Sequence, residues 1–174
     1  SKKDKIIKTE DIEKCFLLDS QFEFGKDYAE RIKKLDIYSK GFHTGCIDCI
    51  LPAGNNIDES KWWIIDWKSN FISKNNEEAS YPINYGYNNM KEEMYKHHYP
   101  LQAHLYLLAL HRFLKWRLPN YLPEKSLGGY IYIFIRGLPS RDEKLFSHNP
   151  VPGVFSSKVS IKRILYLDKL FKYD

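Results

Sequence analysis

One short stretch, residues 62–70, constrains this chain more than any other, and it reads Trp-Trp-Ile-Ile-Asp-Trp-Lys-Ser-Asn. Large apolar residues without Gly or Pro predict a buried β-strand. Because side chains alternate between the two faces of a strand, Asp66 and Lys68 are expected on one face, opposite Trp67. Buried charges are costly unless they are paired or bind a ligand, so this face predicts a site for a divalent cation or a phosphate.

The pattern of an acid followed two residues later by a lysine is by itself a weak signal. Residues 59–61 and 142–144 also fit it, in polar, turn-like surroundings. An isolated match is more often a salt bridge than a catalytic pair. The apolar strand around Asp66 favours the functional interpretation, provided that other segments supply further ligands.

A second apolar stretch, residues 45–51, predicts another buried strand around a lone Asp48. The turn-forming residues 52–56 predict a hairpin between the two strands, which would place Asp48 near Asp66. An aspartate there can also close a turn or pair with a lysine, but its apolar setting argues against both. Two neighbouring carboxylates repel each other, and a divalent cation would offset that cost.

Helices are predicted through much of the remaining chain. Short helices capped by Thr9, Asp27 and Asn88 come first. The remaining predicted elements are a long helix to about Arg117, a buried strand at 128–137, a short strand at 153–155 and an amphipathic helix at 157–172. The order of hairpin, helix, strand and helix predicts an α/β fold with helices available for both faces of the sheet.

Composition leaves the choice of partner open. The chain has 174 residues, a net charge of +5 and a pI near 8.9. Its length suits one ordinary domain with a real core. A basic chain suits an anionic partner such as nucleic acid, although many proteins with neutral partners are equally basic. No apolar run approaches the length of a membrane span and no signal peptide is visible, so no membrane is expected.

The three cysteines, Cys15, Cys46 and Cys49, have no framework spacing. This indicates reduced thiols in a cytoplasm-like compartment. Cys46 and Cys49 resemble half of a metal site, but the chain has no second pair to complete it. We interpret them as small core residues.

The long helix carries polar residues whose role the periodicity leaves open. Gln102 and Tyr106 are four residues apart and therefore share a face. Periodicity alone favours a half-buried polar rim for them. His104 and His111 are seven apart and could also share a face, but structural or solvent-facing roles are commoner than metal binding.

Four segments, in this order and spacing, closely resemble the RecB nuclease family, the C-terminal nuclease domains of the beta subunits of exodeoxyribonuclease V (RecBCD). They are 45–48 (Gly-Cys-Ile-Asp), 65–70 (Ile-Asp-Trp-Lys-Ser-Asn), 99–112 (Tyr-Pro-Leu-Gln-Ala-His-Leu-Tyr-Leu-Leu-Ala-Leu-His-Arg) and 128–137 (Gly-Gly-Tyr-Ile-Tyr-Ile-Phe-Ile-Arg-Gly). The resemblance runs from about Gly45 to Phe171. The short motifs alone would indicate only the wider PD-(D/E)XK superfamily.

The resemblance implies a restriction-endonuclease-like core, a central mixed β-sheet flanked by helices, and a role for each matching residue. Asp48 and Asp66 match metal-binding carboxylates, Trp67 matches a position whose backbone carbonyl faces the metal, and Lys68 matches the catalytic lysine. Gln102 and Tyr106 match the glutamine–tyrosine motif on the helix that flanks the site, and Tyr99 precedes this motif at the family's spacing. The implied cofactor is Mg²⁺, which prefers oxygen ligands together with phosphate and water.

The resemblance also implies an activity and partners. The expected reaction is metal-dependent hydrolysis of DNA phosphodiesters, in a cytoplasmic enzyme with RecC-like and RecD-like subunits. Residues 1–174 are expected to form a single nuclease domain, the C-terminal piece of a longer helicase–nuclease subunit. The alternative is a nuclease fold that does not cleave and serves as a DNA-binding or subunit-docking module.

A metal-binding histidine on an upstream helix is also part of the family pattern. The only histidine before the first strand's aspartate is His43, which lies in the wrong local context for that role. We therefore expect the true ligand outside these residues. The chain alone is expected to fold and to cleave DNA weakly or not at all.

Overall fold

The architecture is α/β in a computed structural model that describes residues 6–39, 45–57, 59–73, 81–139 and 143–172. The strands are β1 (Ile7–Lys8), β2 (Tyr38–Ser39), β3 (Cys49–Ala53), β4 (Lys61–Lys68), β5 (Leu127–Phe134) and β6 (Val154–Lys158). The helices are α1 (Thr9–Leu17), α2 (Lys26–Ile32), α3 (Tyr87–Lys96), α4 (Tyr99–Arg117), α5 (Pro123–Ser126), α6 (Glu143–Phe146) and α7 (Ile161–Leu170), with 3-10 turns at Pro82–Tyr85 and Ile135–Gly137.

A four-stranded mixed sheet with the order β3-β4-β5-β6 forms the centre of the fold. The inner pair β4–β5 is parallel, and the two outer pairs are antiparallel. Parallel neighbours need a crossover connection, and α3 and α4 lie in the segment that provides it. The predicted fold class, a mixed sheet flanked by helices, is confirmed.

The hairpin of β3 and β4 is confirmed, but the predicted buried strand at 45–51 is wrong. The strand begins only at Cys49, and its five residues are exposed or half-buried. The reason is its place at the edge of the sheet, where it pairs on one side only. Pro52 lies within β3, as is typical of edge strands, because proline cannot donate a ladder hydrogen bond.

The two faces of the sheet differ in burial. Ile64 on β4 pairs with Tyr130 on β5, and both side chains are buried in the core. On the opposite face Trp67 and Leu51 are about half exposed. Asp66 follows Ile64 on the same face of β4, so the sheet directs its carboxylate into the core side. The predicted alternation along β4 is confirmed.

The core joins that face to the helices. His104 of α4 is 2% exposed, its ring packs edge-on against Phe16 at 4.7 Å, and its Nδ1 lies 2.7 Å from the Pro100 carbonyl oxygen. Burial lowers the pKa of His104 to about 3, so it is a neutral core residue. His111 bonds through Nδ1 to the Tyr121 hydroxyl at 2.7 Å. The structural interpretation of both histidines is confirmed.

Some predicted boundaries and core assignments need correction. Thr9 does not cap α1; its hydroxyl bonds to the backbone of Leu35 and Ile37 instead. The last helix begins at Ile161 rather than residue 157, because β6 extends to Lys158 and pairs with β5. All three cysteines are free. Cys15 is in the core, whereas Cys46 is exposed and Cys49 is half-buried.

Within the described ranges, no helix has the length and apolarity to span a bilayer.

Candidate active site

Strand β4 brings Asp66 and Lys68 together on the covered face of the sheet. Lys68 Nζ lies 2.6 Å from Asp66 Oδ2, and the two side chains are 14% and 4% exposed. The contact is an ion pair without the angles of a hydrogen bond, and no other described group donates to this buried oxygen. Asp66 Oδ2 therefore has the Lys68 ammonium as its close partner among the described residues, and it retains a lone pair for a cation or an added donor.

Lys68 is surrounded by three residues, Tyr99, Gln102 and Tyr132, which we call the lysine pocket. Its Nζ donates to Gln102 Oε1 at 3.1 Å. It lies 4.0 Å from the ring centroid of Tyr99 and 5.2 Å from that of Tyr132, within the range of a cation–π interaction. These contacts fix the ammonium at one point beside Asp66.

Gln102 connects α4 to the sheet rather than forming a polar rim. Its Oε1 accepts hydrogen bonds from Lys68 and from the Tyr132 hydroxyl, the latter at 3.0 Å. Its Nε2 donates to the Tyr106 hydroxyl at 3.2 Å. Glutamine is suited to this place, because its amide has both an acceptor and a donor at fixed geometry. Gln102 thus contacts Lys68 directly, and Tyr106, four residues further along α4, contacts Gln102.

Asp48 lies one residue before β3 and reaches the same end of β4. Cys49 pairs with Ile65 in the antiparallel register, which places Asp48 opposite Asp66. The Trp67 backbone N–H donates to Asp48 Oδ2 at 3.0 Å. Asp48 is exposed, contrary to the buried position predicted for it, because edge strand β3 is not covered at this point. The hairpin nevertheless places both aspartates at one end of β4.

The electrostatics of the site centre on Asp66. Burial raises the pKa of this carboxyl, the Lys68 ammonium lowers it, and the Asp48 carboxylate raises it, with a net upward shift. Burial, followed by the nearby Asp66 charge, also raises the pKa of the Tyr106 hydroxyl. Two carboxylates thus lie near one lysine, and a bound cation would offset the cost of keeping both of them ionised.

The raised pKa of Asp66 predicts how stability changes with pH when metal is absent. Because its folded pKa lies above its unfolded value, the contribution of Asp66 to stability is present at low pH and lost as pH rises through the folded pKa. In EDTA, Asp66→Asn should therefore gain stability relative to the wild type between about pH 4 and neutral pH. Urea unfolding of both proteins across this pH range measures the difference in their free energies of unfolding. A difference that stays constant with pH would contradict the raised pKa of Asp66.

An outer layer of polar residues lies behind the lysine pocket. The Tyr99 hydroxyl donates to Asn70 Oδ1 at 3.1 Å, and Asn70 Nδ2 donates to Glu93 Oε2 at 3.1 Å. Glu93 also contacts His97 Nε2 at 3.1 Å, and the His97 ring stacks on Tyr99 at 5.2 Å. This layer fixes the orientation of the Tyr99 ring, on which the Lys68 ammonium lies.

The side chains at this site that could contribute oxygen ligands to a metal ion are the carboxylates of Asp48 and Asp66. In the described ranges no three His, Cys, Asp or Glu side chains are grouped so that they could bind a metal ion. His43 lies outside the described residues. The roles of the Trp67 carbonyl and of a histidine from elsewhere stay predictions.

Comparison with curated proteins gives a consistent result, although no protein-family model matches the chain. The RecBCD enzyme subunit RecB of Mycolicibacterium smegmatis is 35% identical over 146 residues, which are 82% of this chain and 13% of that protein. The protein of the same name from Escherichia coli K12 is 30% identical over 132 residues, 76% of this chain and 10% of that protein. This chain is homologous to a segment of RecB. It spans about a tenth of the length of the curated relatives it matches.

In this RecB homologue, three residues at the site were missed by sequence reasoning: Tyr132, Asn70 and Glu93. Tyr132 lies opposite Asp66 in the parallel register of β4 and β5, which depends on tertiary pairing and cannot be obtained from either strand alone. Asn70 follows Lys68 closely, and this proximity was the one available signal. Glu93 lies in the middle of α3, where an acidic residue is ordinary.

Proposed function

We propose that this RecB homologue is a nuclease segment that hydrolyses DNA phosphodiesters with a divalent cation, most suitably Mg²⁺. The observation that supports this most is the convergence of Tyr99, Gln102 and Tyr132 at Lys68, whose ammonium lies 2.6 Å from the buried Asp66 carboxylate. A plain structural salt bridge explains the contact of Asp66 with Lys68. It does not explain the converging Gln102, Tyr99 and Tyr132 contacts or the second carboxylate at Asp48.

The donor set fits a hard cation that retains part of its water shell. Asp66 would bind it through Oδ2, and Asp48 through the oxygen that does not accept the Trp67 N–H. Mg²⁺ is typically bound through one or two carboxylates together with waters and substrate phosphates, so two aspartates are sufficient. We propose the Trp67 carbonyl as a further ligand. When bound, the cation would polarise the phosphate and acidify a water.

Lys68 would contribute a fixed positive charge next to the scissile phosphate. An ammonium held in a low-dielectric pocket stabilises charge that develops on phosphate oxygens without reorganising during the reaction. Gln102 would hold the Lys68 ammonium through one hydrogen bond. Lys68 has three N–H donors, so it could also donate to the phosphate or to the attacking water. Tyr106 and Tyr132 would orient Gln102 through its two ends.

The relatives' name, RecBCD enzyme subunit RecB, supports further proposals about the substrate, the partner subunits and the cellular location. We propose that the substrate is DNA, that the partners are RecC-like and RecD-like subunits, and that the location is cytoplasmic. The process would be DNA repair by recombination. The net charge of +5 agrees with a nucleic-acid substrate, because lysine and arginine give salt-sensitive affinity for phosphates.

Divalent metal should stabilise the protein by an amount that grows with the logarithm of its concentration, about 2.7 kcal/mol at 100 times the dissociation constant. Thermal unfolding in EDTA and in Mg²⁺ measures this shift, and Asp66→Asn should abolish it. Exposed Glu124 offers a matched control, and Glu124→Gln should leave the shift unchanged. The same proteins, prepared at full length, are then assayed for cleavage of single-stranded DNA in Mg²⁺. Metal binding without cleavage would favour the alternative, a DNA-binding or docking module.

A further inference from the structure

The segment that follows β4, residues 69–72, is fixed by a single buried hydroxyl. The Tyr85 hydroxyl donates to the Asn70 carbonyl oxygen at 2.8 Å and accepts the Ile72 N–H at 3.1 Å. Tyr85 is 0% exposed and Ile72 is 8% exposed. The backbone is therefore bonded on both sides of Phe71 before any ligand arrives, and such preorganisation lowers the entropic cost of binding.

Phe71 points outward from this fixed backbone. Its side chain is 50% exposed, although both of its neighbours are anchored. No ring of the described residues stacks against it. A single exposed apolar side chain is common in proteins. What distinguishes Phe71 is the rigidity of its backbone and its place three residues after Lys68.

Arg136 adds a positive charge to the same segment. It lies in the 3-10 turn that follows β5, is exposed, and donates from Nε to the Ser69 carbonyl oxygen at 3.0 Å. This bond fixes the guanidinium two residues from Phe71. The two outer nitrogens of Arg136 bond to no described residue, so they can form the forked contact that arginine makes with a phosphate.

We propose that Phe71 and Arg136 form a binding site for single-stranded DNA beside Lys68, in which a base stacks on Phe71 and Arg136 pairs with a backbone phosphate. The inference rests on the proposed nuclease function and names how its substrate is held. Aromatic side chains combined with basic groups are a general means of binding unpaired strands. Duplex bases are already stacked on each other, so the site selects single strands.

The spacing suits a strand that enters the lysine pocket. Phe71 is three residues from Lys68, which is at most about 11 Å along a fully extended chain. The stacked base therefore belongs to a nucleotide close to the scissile phosphate. The proposed site would fix the strand next to the bond to be broken, and a base missing at that point would remove the stacking contact.

Fluorescence anisotropy in EDTA tests this, because no cleavage occurs without metal. For the full-length protein and a short labelled oligonucleotide, Phe71→Ala should weaken binding at this site about five- to 150-fold, the range for losing one stacked base. Phe71→Tyr should bind as the wild type does. For an oligonucleotide with abasic sites throughout, Phe71→Ala and the wild type should bind equally.

Arg136→Gln should act differently from Phe71→Ala. It should lower the slope of log affinity against log salt by about 0.7, the value for one phosphate contact on a single strand, and do so with intact and abasic strands alike. Phe71→Ala should leave the slope unchanged. The two variants together separate base stacking from phosphate pairing.

An equivalent pair at the far end of α4 supplies the controls. Trp116 is 76% exposed, and the Arg117 guanidinium lies 5.1 Å from its ring centroid, about 20 Å along the helix from Gln102. Trp116→Ala and Arg117→Gln remove the same kinds of group and should not alter binding at the proposed site.

A site-specific readout distinguishes binding at Phe71 from binding at any other surface of the protein. Photo-cross-linking of a strand that carries 5-iododeoxyuridine should label the peptide 69–74, with a yield that falls in Phe71→Ala and not in Trp116→Ala. Equal binding and equal cross-linking by wild type and Phe71→Ala would overturn the proposal and leave Phe71 as a protein-docking residue. Cleavage in Mg²⁺ is scored separately, so failure of the nuclease function would be recognised independently of this result.

Discussion

Lys68→Met is expected to reduce metal-dependent DNA cleavage by the full-length protein about 10²- to 10³-fold, the typical cost of removing one preorganised charge from a reaction centre. Methionine keeps an unbranched side chain of similar length, so the packing against Tyr99 and Tyr132 is retained. What is lost is the ammonium that contacts Gln102 Oε1 at 3.1 Å and Asp66 Oδ2 at 2.6 Å. The rate of single-turnover cleavage at saturating Mg²⁺ measures the effect.

This substitution has a second consequence that must be separated from the first. Without Lys68, the Asp66 carboxylate is buried without a counterion, which destabilises the metal-free protein by about 3–5 kcal/mol. The double variant Asp66→Asn with Lys68→Met removes both charges and should recover most of that loss in urea unfolding. This recovery would identify the unpaired carboxylate as the cause of the lost stability. Cleavage by Lys68→Met is therefore compared with the wild type at a temperature where circular dichroism shows both proteins to be folded.

Lys61 provides a control on the same strand. It begins β4, is exposed, and belongs to the other end of the strand from the site. Lys61→Met should change neither stability nor single-turnover cleavage noticeably. Near-normal cleavage by a folded Lys68→Met protein would mean that Lys68 is only the counterion of Asp66, and the proposed site would then be wrong.

The position of the Asp66–Lys68 pair could be predicted because strand alternation is a property of the local chain. Side chains two residues apart lie on the same face of a strand, whichever neighbouring strand it pairs with. The four-residue spacing of Gln102 and Tyr106 likewise predicts one helix face. The sequence did not specify what that face contacts, because the contact with Tyr132 depends on the register of β4 and β5, two strands that are far apart in the chain. Local periodicity thus gave the orientation of side chains but not their partners.

The wrong predictions for the strand around Asp48 and for the last helix have the same cause, because both depend on contacts that local sequence patterns do not determine. The stretch around Asp48 is as apolar as a central strand, yet β3 is an edge strand, and order within a sheet has no local sequence signal. The last helix was predicted to begin at residue 157, four residues before its observed start at Ile161. The observed N-cap is Ser160, whose hydroxyl accepts from the Arg163 N–H at 3.3 Å, since pairing with β5 keeps the preceding residues extended.

Arg163 is the clearest case of a residue that sequence reasoning passed over. It lies on α7 in an ordinary amphipathic pattern but is 1% exposed, and burial lowers the pKa of its guanidinium. It pairs with no carboxylate within 4 Å among the described residues. Its nitrogens donate instead to four backbone carbonyl oxygens. One belongs to Phe16 in the last turn of α1, at 3.2 Å, and three lie in the loop that follows: those of Leu18 at 2.9 Å, Glu23 at 2.8 Å and Asp19 at 3.3 Å.

Arg163→Met should therefore destabilise the protein by about 3–5 kcal/mol, a large part of the total stability of a domain. Methionine fills much of the space but donates no hydrogen bond, and each buried carbonyl left without a partner costs about 1–3 kcal/mol before the loop relaxes. Arg163→Lys should also be strongly destabilising, because an ammonium cannot reproduce the planar fork that reaches four acceptors.

Neighbouring Lys162 supplies the matched control, since its side chain is 73% exposed and pairs with Asp19 at 2.8 Å. Lys162→Met should cost no more than about 1 kcal/mol. Urea unfolding followed by near-ultraviolet circular dichroism gives both values. An Arg163→Met midpoint equal to that of Lys162→Met would show that the loop holds its conformation without the guanidinium. A large loss for Arg163 alone would establish that this buried cation joins α7 to the loop after α1 and thereby supports α4, which packs on α7 and positions Gln102.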